Sequence, residues 1–440
     1  MRTTRRLIIL GFAAIGGLGM VAGFAAEIPT AKAEREGMSS QRLERVAAMN
    51  DRYTSEGKIA GTLTAVVRNG KIVLQSASGM KGANDPRPIE MDDLFRIYSM
   101  TKPITAAAAM QLYEAGKFQL TDPVSKFVPE LKNLTVMKEG RVVPVQREMT
   151  MQQLLNHTAG LSYGFDPNDP VDQAYGAADL WGSNDLDDFA ARLGKLPLMF
   201  EPGEQWHYSV AVDVTGLVVQ RLSGQDFDDY LKEHIFDPLD MKDTFFQVPE
   251  GKLDRFLPNH ALDPATGRAI AMPGDQALPG GISASCSAMC DYTDVTLYSG
   301  GGGLVSTLRD YVRFAEAMRD GELDGAQILS PKTIKFMRAN HLPAAISSGG
   351  GSGEQPILGG ASLGGFGFGL GFGVVTDTSA NGVIGSAGQY YWGGAAGTVF
   401  WIDPVENLVV VSMMQLMGGW PSYRPDLRVA TYQSLLDSYE

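Results

Sequence analysis

Ser99-Met100-Thr101-Lys102 puts a hydroxyl and an amine three residues apart. They stand where the mostly apolar segment Leu94 to Ile97 gives way to the alanine run Ala106 to Ala109. At a helix start, residues i and i+3 share one face. A serine hydroxyl is a weak nucleophile until a neighbouring base takes its proton. A lysine can be that base only when desolvation or a second positive charge lowers its pKa. The helix N-terminus adds partial positive charge, which favours negative charge developing at Ser99. The pair therefore suits nucleophilic acyl transfer. Alone the pattern is weak, because a helix-capping serine followed by a solvated lysine is common.

Two further segments change its weight. Gln205-Trp206-His207-Tyr208-Ser209-Val210 follows the turn Glu201-Pro202-Gly203-Glu204 and precedes an apolar helix, Val212 to Leu222. Tyr391-Trp392-Gly393-Gly394-Ala395 enters a C-terminal run of strands. Ser-x-x-Lys, then the Tyr208 motif, then a Trp-Gly-Gly strand, in this order, resembles the serine β-lactamase and penicillin-binding-protein superfamily. It is most similar to the class C branch and the family VIII carboxylesterases. Leu154-Leu155-Asn156-His157-Thr158-Ala159-Gly160-Leu161 and Ser299-Gly300-Gly301-Gly302-Gly303-Leu304-Val305-Ser306-Thr307 agree with it. The resemblance covers about residues 40 to 436.

The resemblance implies a role for each motif. Ser99 is the nucleophile that becomes acylated. Lys102 and Tyr208 are a coupled pair that moves its proton. The backbone N–H groups of Ser99 and Ala395 form the oxyanion hole. Gly393 and Gly394 let a substrate lie against the strand. Two departures bear on specificity. The family's tyrosine motif usually ends in Asn, whereas Val210 offers no side-chain hydrogen bond. The third motif usually begins with a cation, whereas here it is Trp392. Without that partner for an anionic substrate, the expected substrate is a neutral, short-chain or hydrophobic carboxylic ester. β-Lactamase, D-aminopeptidase or DD-peptidase, and acyltransferase activities use the same machinery and stay open. A non-catalytic peptidoglycan-binding or assembly protein is the alternative of another class. It would be expected to lose Ser99, Lys102 or Tyr208, and all three are present. His157 reads as a turn-stabilising histidine. The scheme needs no cofactor, and no His or Cys cluster has zinc spacing.

Gly360-Ala361-Ser362-Leu363-Gly364 matches the G-x-S-x-G nucleophile elbow, but its context is wrong. An elbow needs a buried strand entering it and a triad histidine downstream. The five histidines, His157, His207, His234, His260 and His341, all precede Ser362.

The 440 residues are 44% hydrophobic and 20% charged, enough for a large core. A net charge of −13 with no long basic run excludes nucleic acid and anionic membrane surfaces as expected partners. Residues 1–33 read as a signal peptide: Arg2, Arg5 and Arg6, an apolar stretch from Leu7 to Ala26, and Ala31-Lys32-Ala33 as cleavage site. The expectation is an exported protein, periplasmic or secreted, with no membrane span after cleavage. An uncleaved leader would serve as an anchor. Cys286 and Cys290 are the only cysteines. They read as a local disulfide or as structural thiols.

The elements that must hold the motifs can be read in outline. Ser40 to Glu56 has helical periodicity. Thr62 to Val67 and Lys71 to Ser76 flank Asn69-Gly70, a strong hairpin signal. From Ser99 to about Met337 the pattern is mostly helical, with Gly164 to Asp187 and Asn259 to Gly280 as the largest loops. Phe366, Phe368, Leu370 and Phe372 alternate with glycines as a strand would, leaving bare backbone for a closely packed helix. Two strands, Gly397 to Asp403 and Leu408 to Met414, and a final helix, Asp426 to Ser438, follow. The fold class is α+β. After the signal peptide, residues 34–440 form one domain, its sheet from about 34–98 and 364–440 and a helical region from about 99–363. The resemblance adds an antiparallel sheet flanked by helices, with the site at the seam.

Overall fold

Asn69 and Gly70 adopt positive φ, 52° and 72°, the twist a two-residue hairpin needs. In the computed structural model, which describes residues 27–272, 292–347, 364–418 and 422–440, this turn joins the first two long strands. Helix α1 (Ser40–Ser55) precedes them, its first turn capped by the Ser39 hydroxyl accepting from the Arg42 N–H. Strand β1 (Gly61–Arg68) pairs with β2 (Lys71–Gly82), and β2 with β3 (Asp85–Pro88). Five strands return from the far end of the chain: β4 (Phe366–Phe368), β5 (Gly373–Val375), β6 (Tyr390–Gly393), β7 (Val399–Asp403) and β8 (Leu408–Met414). The sheet order is β4-β5-β6-β7-β8-β1-β2-β3, every neighbour antiparallel. β8 meets β1 in unbroken register, from Thr62 opposite Met414 to Arg68 opposite Leu408.

Both faces of this sheet are covered, so β1 is buried along its whole length. Leu63, Ala65 and Val67 point into the larger core with helices α2 (Thr101–Glu114), α3 (Ala211–Ser223) and α4 (Leu308–Asp320). Val66 points the other way, toward α1 and α5 (Tyr423–Tyr432). A buried polar knot crosses that second face. The Tyr423 hydroxyl donates to Asn50 Oδ1 at 2.8 Å and lies 2.9 Å from Ser412 Oγ, tying α5 to α1 and to β8.

Four expectations need correction. The described part of Asn259 to Gly280 is not loop throughout, because His260–Leu262 pairs antiparallel with Ala269–Ala271. Gly164 to Asp187 is not one loop. It holds a helix, Pro170–Ala177, capped by Asp169 with proline at its first position, and the next helix starts at Leu186 under an Asp185 cap. The alternating Phe/Gly run is not one strand. It folds back as the β4–β5 hairpin, with Gly371 at φ 100° in the turn. A Cβ on Gly371 would stand 2.3 Å from that of Ala106, so bare backbone does meet a helix, at the turn. The last helix starts at Tyr423 and ends at Tyr432, with Pro425 tolerated in its first turn.

Residues 1–26 of the leader, Cys286, Cys290 and Ser362 lie outside the described residues. Among the described residues no helix is long and apolar enough to cross a membrane.

Candidate active site

Ser99 sits in a single 3-10 turn, Tyr98–Met100, that runs directly into α2. The turn is strained and held from several sides. Tyr98 has φ 44°, a left-handed backbone that an aromatic residue rarely adopts. Its hydroxyl accepts from Asn259 Nδ2 at 2.6 Å. The Tyr311 hydroxyl donates to the Met100 carbonyl at 2.9 Å, and the Ile97 N–H to the Leu304 carbonyl at 3.0 Å.

Lys102 occupies the first turn of α2 and is fully buried. Its Nζ lies 3.1 Å from Ser99 Oγ, 2.8 Å from the Tyr163 hydroxyl and 2.6 Å from the Gly301 carbonyl. Burial pulls its pKa down to about 7, against the opposing charge of Asp213. As a neutral amine it donates to Tyr163 and Gly301 and offers its lone pair to the Ser99 proton. The Tyr208 hydroxyl donates to Ser99 Oγ at 2.6 Å. With that bond in place, the serine proton is directed at Lys102. Trp392 in β6 donates its indole N–H to the Tyr208 oxygen at 3.4 Å. Two motifs separated by more than a hundred residues thus converge on one hydroxyl, and the third touches it through Tyr208.

The remaining sequence-derived residues are placed as follows. Gly393 is half-buried, Gly394 buried and Ala395 exposed, at the turn from β6 to β7. A Cβ on Gly394 would stand 2.4 Å from the Ile97 carbonyl, so glycine lets this turn pack on the backbone leading to Ser99. Val210 is wholly buried at the start of α3, a core side chain that presents no surface of its own.

Three groups were missed. Asp213 is buried in α3, where it accepts from the Ser299 hydroxyl and from the Gly301 N–H. Burial raises its pKa, opposed first by Lys102. A lone carboxylate inside Ala211-Val212-Asp213-Val214-Thr215-Gly216-Leu217 was the available signal. Tyr163 is kept a neutral phenol by burial, well above its ordinary pKa. Its ring stacks on Phe165 at 5.0 Å and Trp181 at 6.0 Å. Gly301 has no room for a side chain, since a Cβ would fall 2.4 Å from Asp213 Oδ2 and 2.8 Å from the Tyr163 hydroxyl.

His157 is a structural residue. It is fully buried at φ 58°, takes the Ser209 N–H on Nδ1 at 3.3 Å, and packs its ring 4.9 Å from that of Tyr208. A second cluster, Ser162, Asp172 and His207, has the residue types of a triad in the wrong order. Ser162 stands in the middle, donating to Asp172 with His207 Nε2 at 3.2 Å. A triad needs the histidine between the other two.

A serine hydroxyl shared by a buried lysine of lowered pKa and a tyrosine, with Trp392 of the internal strand β6 against that tyrosine, is the arrangement of a serine hydrolase site. Residues 31–433 match the beta-lactamase family, and the chain belongs to that family. It is 32% identical over 382 residues to protein Rv1367c of Mycobacterium tuberculosis, covering 85% of this chain and 88% of that one. It is 31% identical over 382 residues to esterase EstB of Burkholderia gladioli, covering 83% and 88%. Among solved structures it is similar to EstCE1, a hydrolase with promiscuous acyltransferase activity. The TM-score is 0.74 and the identity 26%, over 89% of this chain and 99% of that one.

Proposed function

We propose that this protein hydrolyses neutral carboxylic esters through an acyl-enzyme on Ser99. The observation that carries the reading is the position of Ser99 Oγ between Tyr208, at 2.6 Å, and a fully buried Lys102, at 3.1 Å. Ser99 Oγ attacks the ester carbonyl carbon while its proton passes to Lys102 Nζ. The tetrahedral oxyanion sits against the Ser99 and Ala395 N–H groups. As the C–O bond breaks, the Lys102–Tyr208 pair protonates the leaving alkoxide. Water then attacks the acyl-enzyme, giving its proton to the same pair, and the acid leaves with Ser99 restored.

Substrate class follows from what surrounds this hydroxyl. Trp392 stands where the resemblance places the cation that would hold a β-lactam carboxylate, and the aromatic rings of Trp206, Tyr208, Phe368 and Trp392 pack together beside Ser99. The likeness to an esterase, EstB, supports the same choice. An acyltransferase, in which an alcohol replaces water at the second step, is the second reading. It is favoured by the likeness to EstCE1, a hydrolase with promiscuous acyltransferase activity.

The test is a panel of p-nitrophenyl esters beside benzylpenicillin, with mass analysis of the trapped enzyme. Short-chain esters should exceed penicillin in kcat/KM by orders of magnitude, with acyl mass on Ser99 and none in Ser99→Ala. Comparable efficiency on penicillin would turn the assignment to β-lactamase. An active Ser99→Ala would remove it.

A further inference from the structure

We infer that Arg424, on α5, is a positioning residue that fixes the direction of the Ala395 N–H by holding the carbonyl of the same peptide unit. The inference rests on the acyl-enzyme reading above and assigns a role to a residue outside its three motifs.

The Arg424 guanidinium is nearly buried beneath the turn between β6 and β7. Its Nη2 donates to the Gly394 carbonyl at 2.9 Å and to the Thr398 carbonyl at 2.9 Å. The Gly394 carbonyl and the Ala395 N–H belong to one planar trans peptide, so they point in opposite directions. Gripping the carbonyl from the α5 side therefore turns the N–H away from α5. The same carbonyl also accepts the turn bond from the Gly397 N–H at 3.1 Å, and the guanidinium adds a charge-assisted second hold. The peptide follows two glycines, whose backbone rotates with little steric resistance, and a flip would replace the donor by a carbonyl oxygen. Gly393 leaves room for the guanidinium, since a Cβ there would fall 2.3 Å from Arg424 Nη2.

The guanidinium acts a second way. A cation at the carbonyl end of an amide polarises it and strengthens its N–H as a donor. Burial and the neighbouring Arg428 lower the Arg424 pKa to about 9, so the charge persists at neutral pH. Tyr423, the residue before it, is locked to Asn50 and Ser412, so Arg424 approaches the turn from a fixed base. Arg428, one helical turn on, bonds instead to Gln389 Oε1 at 2.6 Å and serves as a control on the same helix.

The experiment compares wild type, Arg424→Ala, Arg424→Gln and Arg428→Met. The readouts are kcat and KM on a p-nitrophenyl ester and the rate at which a serine-directed phosphonate labels Ser99. Folding is checked by circular dichroism. Arg424→Ala should lose about 10²-fold in kcat, the scale of one oxyanion-hole donor, with KM within about threefold of wild type, since ground-state binding is untouched. Phosphonate labelling should slow by a similar factor, and added methylguanidinium should restore part of both rates. Arg428→Met should stay within a fewfold of wild type in kcat. If Arg424→Ala does not fold, Arg424→Gln carries the same comparison. A folded Arg424 variant with wild-type kcat and labelling rate overturns this inference alone, as does a rise in KM at unchanged kcat. A wild type that the phosphonate does not label at Ser99 overturns the acyl-enzyme reading and this inference with it.

Discussion

In the proposed mechanism Lys102 serves Ser99 only while it is unprotonated. The side chain is fully buried, and burial brings its pKa to about 7 despite Asp213 nearby. The sign follows: below that value the amine carries a proton, has no lone pair for Ser99, and activity falls about tenfold per pH unit. A pH profile of kcat/KM on a neutral ester should therefore show an acid limb with its midpoint near 7, the value burial gives Lys102 in the free enzyme. A profile flat from pH 5 to 8 would remove Lys102 as the base. Lys102→Ala and Tyr208→Phe should each lower kcat by about 10² or more. Because both bear on one hydroxyl, the double variant should be no worse than roughly the worse single. Asp213 and Tyr163 could not be read from motif order. Tyr163 reaches Lys102 from 61 residues away, and the Asp213 carboxylate touches Ser299 and Gly301 from 86 and 88 residues away. Their relation to the site exists only after α2, α3 and the 299–303 turn have packed.

Among the elements, those carrying local signals were legible and those defined by long-range packing were not. Asn69-Gly70 signalled the hairpin, and the helical apolar period from Ser40 to Glu56 signalled α1, because turn chemistry and periodicity are local. Phe366 to Gly373 misled because a period of two is shared by a strand and by a hairpin of two short strands. The turn is set by Gly371 meeting Ala106 of α2, a contact absent from the local pattern. Glu316 on α4 is a further long-range effect. It lies almost fully buried on a helix packed under the central strands, and burial raises its pKa to about 7, with Arg319 opposing. A raised native pKa means the native state holds the proton longer than the unfolded chain. The stability it contributes is thus complete below the ordinary glutamate range and lost as pH rises through about 7. Glu316→Gln keeps the shape without the titration. Urea midpoints should show the variant gaining on wild type between pH 5 and pH 8. A difference independent of pH would mean that Glu316 titrates normally.

At the scale of the whole molecule, the two ends of the chain build one sheet and split the site between them. Ser99 follows the N-terminal strands, while Trp392 lies on the C-terminal strand β6, Ala395 in the turn after it and Arg424 on α5. The β1–β8 seam is closed at its outer end by a buried clasp. Arg68, fully buried, places Nη2 2.8 Å from Glu406 Oε2 and 2.8 Å from the Asp437 carbonyl. The Tyr439 ring covers the guanidinium at 4.7 Å, and Ser438 donates to Glu406. The last residues also pair with the first described ones, the Ser39 N–H with the Ser434 carbonyl at 2.8 Å and the Leu436 N–H with the Gly37 carbonyl at 2.9 Å. Removing one partner of a buried pair strands the other charge, which costs about 3–5 kcal/mol, whereas replacing both by apolar groups of similar volume is far milder. Glu406→Leu should accordingly lose about 3–5 kcal/mol in urea denaturation. Arg68→Met with Glu406→Leu should lose less than Glu406→Leu alone, although it removes more contacts. Simple addition of two single losses would mean that the clasp acts through its packing and carbonyl bonds, with no stranded charge. The loss of ester hydrolysis should track the loss of fold in these variants, because neither half of the chain holds the site without the other.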